Sequence, residues 1–245
     1  MIGRCHRNNG FTLIELIIVI IIVGIMATVA VRKLGTSLET AKYEHTKKEL
    51  DALAAAMVGN PSLFAEGSRT DFGYVGDVGA LPSNLDALAT NPGGYTTWDG
   101  PYISRGVDLN EFKQDGWGAA YLYSDTLLRS TGSGSNIDKV IAVSSSALLG
   151  NSVQGYVVDA DDEMPGASYR DSLVIRLTYP NGSGSVVTST TSPTADGSFS
   201  FSSVPIGNQR LSVIYTPDND TSSYTISVTP QSDVKVAVTF PADLW

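Results

Sequence analysis

Three features of this 245-residue sequence predict an α+β protein. An apolar run opens the chain and passes into an amphipathic stripe, a middle segment carries a few short strand-like runs between loops, and the last third alternates strand-like runs with Gly, Pro, Asp and Ser. Together they predict a long N-terminal helix packed on a small antiparallel-sheet head, followed by an all-β sandwich.

The apolar run extends from Phe11 to Val31, 21 residues, long enough as a helix of about 31 Å to cross a bilayer. Fourteen of these residues are Phe, Leu, Ile or Val, each favouring insertion by roughly 0.3–0.6 kcal/mol, against roughly 3 kcal/mol for an acid at the helix centre. Insertion wins even with Glu15 inside the run. An ionisable group at membrane depth argues for a partner. A cut between Gly10 and Phe11 would supply one, since it frees an α-amino group that is mostly protonated below about pH 8. Glu15 can then pair with the N-terminus of a neighbouring subunit. Basic residues do not orient the helix, because Arg4 and Arg7 precede the run while Arg32 and Lys33 follow it.

The short basic stretch "MIGRCHRNNG", ending in glycine and followed by "FTLIELIIVIIIVGIMATVAV", resembles the type IV pilin and type II secretion pseudopilin superfamily. The resemblance implies a class III leader over residues 1–10, with Gly10 its last residue. It also implies cleavage by a prepilin peptidase, N-methylation of Phe11, and a filament-assembly role for Glu15. Two other readings compete. An ordinary secretory signal would cleave near "TVA", residues 28–30, but its apolar core would span about 7–15 residues. A plain membrane anchor explains the length but not Gly10 and Glu15 together.

Beyond the run, Leu34, Leu38, Ala41, His45, Leu50, Leu53 and Met57 recur at mostly three- and four-residue spacings. The helix therefore continues as an amphipathic rod over 11–58, with 11–31 in the membrane, and "GNP" at 59–61 stops it. His45 falls on the buried stripe and is expected to be packed or to face a partner.

Composition excludes several functions. The net charge of −9 becomes −11 without residues 1–10, which hold Arg4 and Arg7 and no acid; an acidic chain argues against nucleic-acid binding. Cys5 is the one cysteine, and of the two histidines His6 precedes Gly10. The processed chain thus has no disulfide, and zinc sites and Cys/His nucleophiles are excluded. No catalytic constellation is present, so the chain is not expected to be an enzyme.

Residues 59–145 form the predicted head, with strands at "AAYLYS" (119–124) and "KVIAVSS" (139–145). "ALPSNLDALATNP" and "WDGPYISRG…FKQDGWGAAYLYS" resemble the major pseudopilin of type II secretion, which implies a pilin-like head and makes Trp98, Tyr102 and Trp117 structural anchors. The chain departs from that family at Gly116 and near Arg32, where the family has proline. The family's calcium loop maps onto "STGSGSNID", where only Asp138 is acidic; calcium wants several carboxylates, so occupancy is not expected.

Residues 151–245 hold seven strand-like runs, which predict an antiparallel, immunoglobulin-like sandwich. The pattern "VQGYVVDADDEMPGAS…TSPTADGSFSFSSVPIGNQRLSV" resembles carboxypeptidase-regulatory-like, transthyretin-like modules, which are non-catalytic. Asp159, Asp161, Asp162 and Glu163 are candidate calcium ligands, but they lack a known loop spacing and read better as solvated turn charge. "SSSALLGN" at 144–151 leaves little room for a tether, so the tail is expected to be a semi-independent lobe.

The expected function is that of a structural subunit of a type IV pilus-like or type II secretion pseudopilus filament. Its partners would be other pilins or pseudopilins, the prepilin peptidase and an inner-membrane assembly platform; no cofactor is expected. The helix would cross the inner membrane once, with the globular part extracytoplasmic. The alternative is a membrane-anchored binding module whose β-sandwich does the work.

Overall fold

A computed structural model describes residues 12–103 and 111–245. Helix α1 spans Leu13–Val58 and ends where Gly59 turns to a φ of 76°. A Cβ at that position would lie 2.3 Å from the Asp71 carbonyl oxygen, so the left-handed stop requires glycine.

Contacts divide the chain after His45 into two compact units. In the first unit, every described side chain is exposed except half-buried Lys42, including apolar ones such as Leu13, Ile20 and Leu34. His45, expected on a buried stripe, is also exposed. The stripe becomes a packed face only from Thr46, where Thr46, Leu50, Leu53, Ala54, Ala56 and Met57 are buried.

The second unit continues through strands β1 (Phe64–Ala65) and β2 (Ser68–Arg69), helix α2 (Gly73–Val78) and a 3₁₀ turn, Leu85–Leu88. Asn84 caps that turn by accepting a hydrogen bond from the Ala87 N–H at 3.1 Å. Strands β3 (Leu122–Ser124), β4 (Leu127–Ser130) and β5 (Ile137–Val140) form an antiparallel sheet with Leu122, Arg129 and Asp138 in register. Leu128 and Tyr123 on its other face pack with Leu50, Leu53, Met57 and Leu88. Both head strands are shorter than their sequence runs. Ala120 makes only an isolated bridge to Gln114, and after Val140 the chain turns into helix α3 (Ser145–Leu149), where Ser144 caps the Ala147 N–H at 3.2 Å.

Strand β6 (Asn151–Val158), helix α4 (Gly166–Tyr169) and strands β7 (Leu173–Pro180), β8 (Val186–Thr191), β9 (Ser198–Val204), β10 (Gly207–Tyr215), β11 (Asp220–Val228) and β12 (Asp233–Thr239) complete the chain. They form a four-stranded sheet ordered β11-β10-β7-β8 and a three-stranded sheet ordered β12-β6-β9. One apolar cluster draws on both: Leu173, Ile175, Leu211 and Val213 from the first, Val153, Val157, Phe199 and Val238 from the second. The alternating inward residues of each strand supply this layer. One ladder departs from the expected antiparallel pattern, since β12 runs parallel to β6. The chain leaves one sheet at Val228 and enters the other at Asp233, and this crossing sets β12 alongside β6 in the same direction.

The tail is not a separate lobe. Residues 46–245 form one compact unit, and a third cluster joins Phe72 and Val75 near and within α2 to Leu148 of α3 and Ile206 of the β9–β10 turn. The Gly182 N–H donates to the Val78 carbonyl at 2.8 Å, and the Thr96 N–H to the Gly184 carbonyl at 2.7 Å.

Candidate functional site

The head of α1 is built on a reciprocal cap. Thr12 stands just before Leu13, and its N–H and hydroxyl both donate to Glu15 Oε2, at 3.0 and 2.9 Å. The Glu15 N–H returns a bond to Thr12 Oγ1 at 3.3 Å. This is a capping box: each side chain satisfies an amide that the first helical turn leaves without an intrahelical acceptor. It gives Glu15 a local role besides pairing with a cation in trans, and the T-x-x-E spacing is its signal in the sequence. Oε2 takes both bonds, while Oε1 has no hydrogen-bond partner among the described residues. Gly10 and Phe11, the expected cleavage and methylation positions, lie outside the described residues.

Behind Glu15 the helix is apolar all round, with a mean hydropathy of 2.9 over its most apolar 18-residue window and none of that window buried. Exposed apolar surface on this scale favours transfer to lipid or to other helices by roughly 25 cal/mol per Å². Replacing Thr12 by valine keeps the volume but removes the hydroxyl from both of its bonds. The first turn should lose about 1 kcal/mol, read as faster amide exchange at Leu13–Leu16 in bilayer nanodiscs; unchanged exchange would show that the cap is idle.

The candidate calcium residues are dispersed in role. Asp138 is exposed and holds Arg129 in a two-point pair, Nε to Oδ1 at 2.6 Å and Nη2 to Oδ2 at 2.7 Å, which keeps its carboxyl below the usual range. Asp159 is fully buried, contrary to the reading of this cluster as solvated charge. Its Oδ1 accepts from the Asp161 N–H at 3.1 Å and the Glu163 N–H at 2.9 Å, so it organises the turn, while Asp161, Asp162 and Glu163 remain exposed. Among the described residues no three His, Cys, Asp or Glu side chains converge as a metal cluster would require.

A different acid organises the head. Asp115 of "QDGWG" is buried, and both its oxygens are fully used. Oδ1 accepts from the N–H groups of Trp117 at 3.0 Å and Ala119 at 2.9 Å, and Oδ2 from Ser130 Oγ at 2.6 Å and the Gly132 N–H at 2.9 Å. Burial pushes this carboxyl up, but the four hydrogen bonds outweigh it and hold it below the usual range. Gly132 has no room for a side chain, since a Cβ would sit 2.5 Å from Asp115 Oδ2. An Asp followed by Gly is a turn signal, but its partners 15 and 17 residues downstream leave no local trace. Trp98 and Tyr102 anchor the neighbouring loop. The indole Nε1–H donates to the Ala87 carbonyl at 2.9 Å, and the Tyr102 hydroxyl donates to Asp77 at 2.8 Å. Their rings meet edge-on at 5.6 Å.

The prokaryotic N-terminal methylation motif matches residues 5–31, placing Glu15 and the start of α1 inside it. The chain carries this methylation motif at the head of α1. Type II secretion system core protein G of Xanthomonas campestris pv. campestris is 33% identical over 114 residues, 46% of this chain. The chain spans 66% of that relative's length, just under two thirds. Among solved structures, a dioxygenase domain from a Streptomyces dioxygenase–carbohydrate-binding fusion overlays at a TM-score of 0.30 and 11% identity, covering 42% of this chain and 86% of that one. A streptococcal ancillary pilin overlays at 0.27 and 11%, covering 49% and 43%. Overlays this loose leave the function to be read from the methylation motif and the helix it heads.

Proposed function

We propose that the chain is a structural subunit of a type II secretion pseudopilus or type IV pilus-like filament. A prepilin peptidase cuts it after Gly10, Phe11 becomes the methylated N-terminus, and an inner-membrane assembly platform delivers it to a filament of like subunits. The observation that carries this reading is the coincidence of the methylation motif with a helix whose apolar surface has no cover among the described residues. Before assembly the helix crosses the inner membrane once, with residues 46–245 outside; in the filament, helices from neighbouring subunits bury that surface. Glu15 supports the same reading, because its Oε1 is left over from the capping box and can receive the amine of a neighbouring subunit. The reading needs no catalysis and no cofactor. We also read residues 151–245 as a carboxypeptidase-regulatory-like module, supported by their two sheets around one core.

Co-expression with a prepilin peptidase, followed by N-terminal sequencing, should return methylated phenylalanine from Phe11. A start at Val31, or an unprocessed chain, would sink the assignment. Glu15→Leu separates filament subunit from simple anchor. The variant should insert normally, since an acid leaves the bilayer, yet fail to assemble; normal filaments would instead favour the anchored binding module.

A further inference from the structure

The outward face of the four-stranded sheet carries a pattern that the filament reading does not use. Register places Thr225, Arg210, Thr178 and Thr188 in one row across β11, β10, β7 and β8, and Ser223, Ser212, Arg176 and Thr190 in the next. Each of these eight side chains is a hydrogen-bond donor, and neither row holds an acid or an apolar residue. Two contacts are made within the rows, Thr178 to Thr188 at 3.0 Å and Ser212 to Ser223 at 3.1 Å. Arg176 and Arg210 are exposed and make no hydrogen bond or ion pair among the described residues, whereas Lys42, Lys113, Arg129, Lys139 and Arg170 are each paired with an acid. They are diagonal neighbours on adjacent strands, roughly 7–8 Å apart and within reach of one another's long side chains. Residues 151–245 hold ten acids against four bases, so two unpaired arginines side by side are a local reversal of the domain's charge.

We propose that this face binds an acidic polysaccharide, with Arg176 and Arg210 each taking a sugar carboxylate and the flanking hydroxyls bonding sugar hydroxyls. Guanidinium matches carboxylate with two parallel hydrogen bonds, and Ser and Thr both donate and accept, as sugar hydroxyls do. Other polyanions fit less well. A nucleic acid presents a charge about every 1.7 Å and is held by neutralising many phosphates, whereas this face offers two cations on a chain of net charge −9. A protein partner would want aromatic or apolar anchors at the centre of the contact, and the two rows have none. The inference stands apart from the filament reading, because it concerns a face remote in sequence from α1 and is tested on unassembled protein.

The test uses the detergent-solubilised full chain and polygalacturonate as probe, with neutral dextran and duplex DNA as comparisons. Polygalacturonate should bind, weaken as salt rises from 50 to 300 mM, and lose at least tenfold in affinity in the Arg176→Gln/Arg210→Gln variant, while dextran and DNA bind at least tenfold more weakly. Arg170→Gln/Lys235→Gln removes the region's other two bases and should leave affinity within twofold. Equal losses in both double variants, or binding of DNA as tight as that of polygalacturonate, would overturn the proposal in favour of diffuse charge attraction. No binding to polygalacturonate would overturn it outright. A filament defect in Arg176→Gln/Arg210→Gln with unchanged polygalacturonate affinity would reassign the face to contact between subunits.

Discussion

Asp115→Ala is expected to unfold the unit of residues 46–245 at temperatures where the parent chain is fully folded. The substitution strips acceptors from three backbone N–H groups and from Ser130, whose side chain is fully buried. The Ser130 bond is buried and the three N–H bonds partly so; with about 1–3 kcal/mol for a buried donor left unsatisfied, the loss should reach about 3 kcal/mol, a large share of a domain stability of about 5–15 kcal/mol. Asp115→Asn should cost less but still measurably, because one amide nitrogen must then face groups that already donate. The pH dependence separates these effects. Since the folded carboxyl lies below its ordinary value, its contribution is fully present above the unfolded pKa of about 3.9 and is lost as pH falls through the lower folded value. Urea unfolding followed by tryptophan emission, at pH 7 and at pH 3, should show a smaller drop between the two for Asp115→Asn than for the parent. Equal drops would mean that the carboxylate's charge is immaterial to the loop.

Most of the architecture was legible wherever a periodic pattern is long. The apolar run carries the first part of α1, which among the described residues begins at Leu13, "GNP" marks its end, and seven alternating runs mark β6 to β12, because each element's inward positions repeat with its own period. The direction of β12 was not legible, as alternation says which side chains face inward and nothing about which neighbour the strand joins. The shortness of "SSSALLGN" excludes a long tether but does not show that it is itself structured: Ser144 caps a helix there, and Leu148 is buried with Phe72 and Val75, more than 70 positions away. At the candidate site, the cost of an acid in a bilayer singles out Glu15 but not Thr12, which bonds to it directly. Asp159 and Asp115 show the same limit from the other side: a buried carboxylate that holds a loop and an exposed turn acid look alike until the amides that reach them are placed.

Ending the chain after Gly150 is expected to yield an aggregating head rather than a folded one. The deletion removes Ile206, fully buried against Phe72, Val75 and Leu148, and thereby opens three apolar side chains worth roughly 1.5–3 kcal/mol each when buried. It also takes away the Gly182 N–H that meets the Val78 carbonyl and the Gly184 carbonyl that meets the Thr96 N–H. The fit is close at this seam. Gly79 lies at a φ of 79°, and a Cβ there would come within 2.2 Å of the Pro180 carbonyl oxygen, so Gly79→Ala combines backbone strain with a clash against the tail. Summed over the three side chains, the loss approaches the whole stability of a small domain, which argues that head and tail fold as one cooperative unit. Thermal unfolding of the full chain in detergent should therefore show one transition for residues 46–245, displaced downward as a whole by Gly79→Ala and by Ile206→Ala, the latter by about 2–5 kcal/mol. Two resolved transitions, with the substitutions moving only one of them and the 1–150 chain monodisperse in detergent with native tryptophan emission, would show instead that the seam is a resting contact between independent domains.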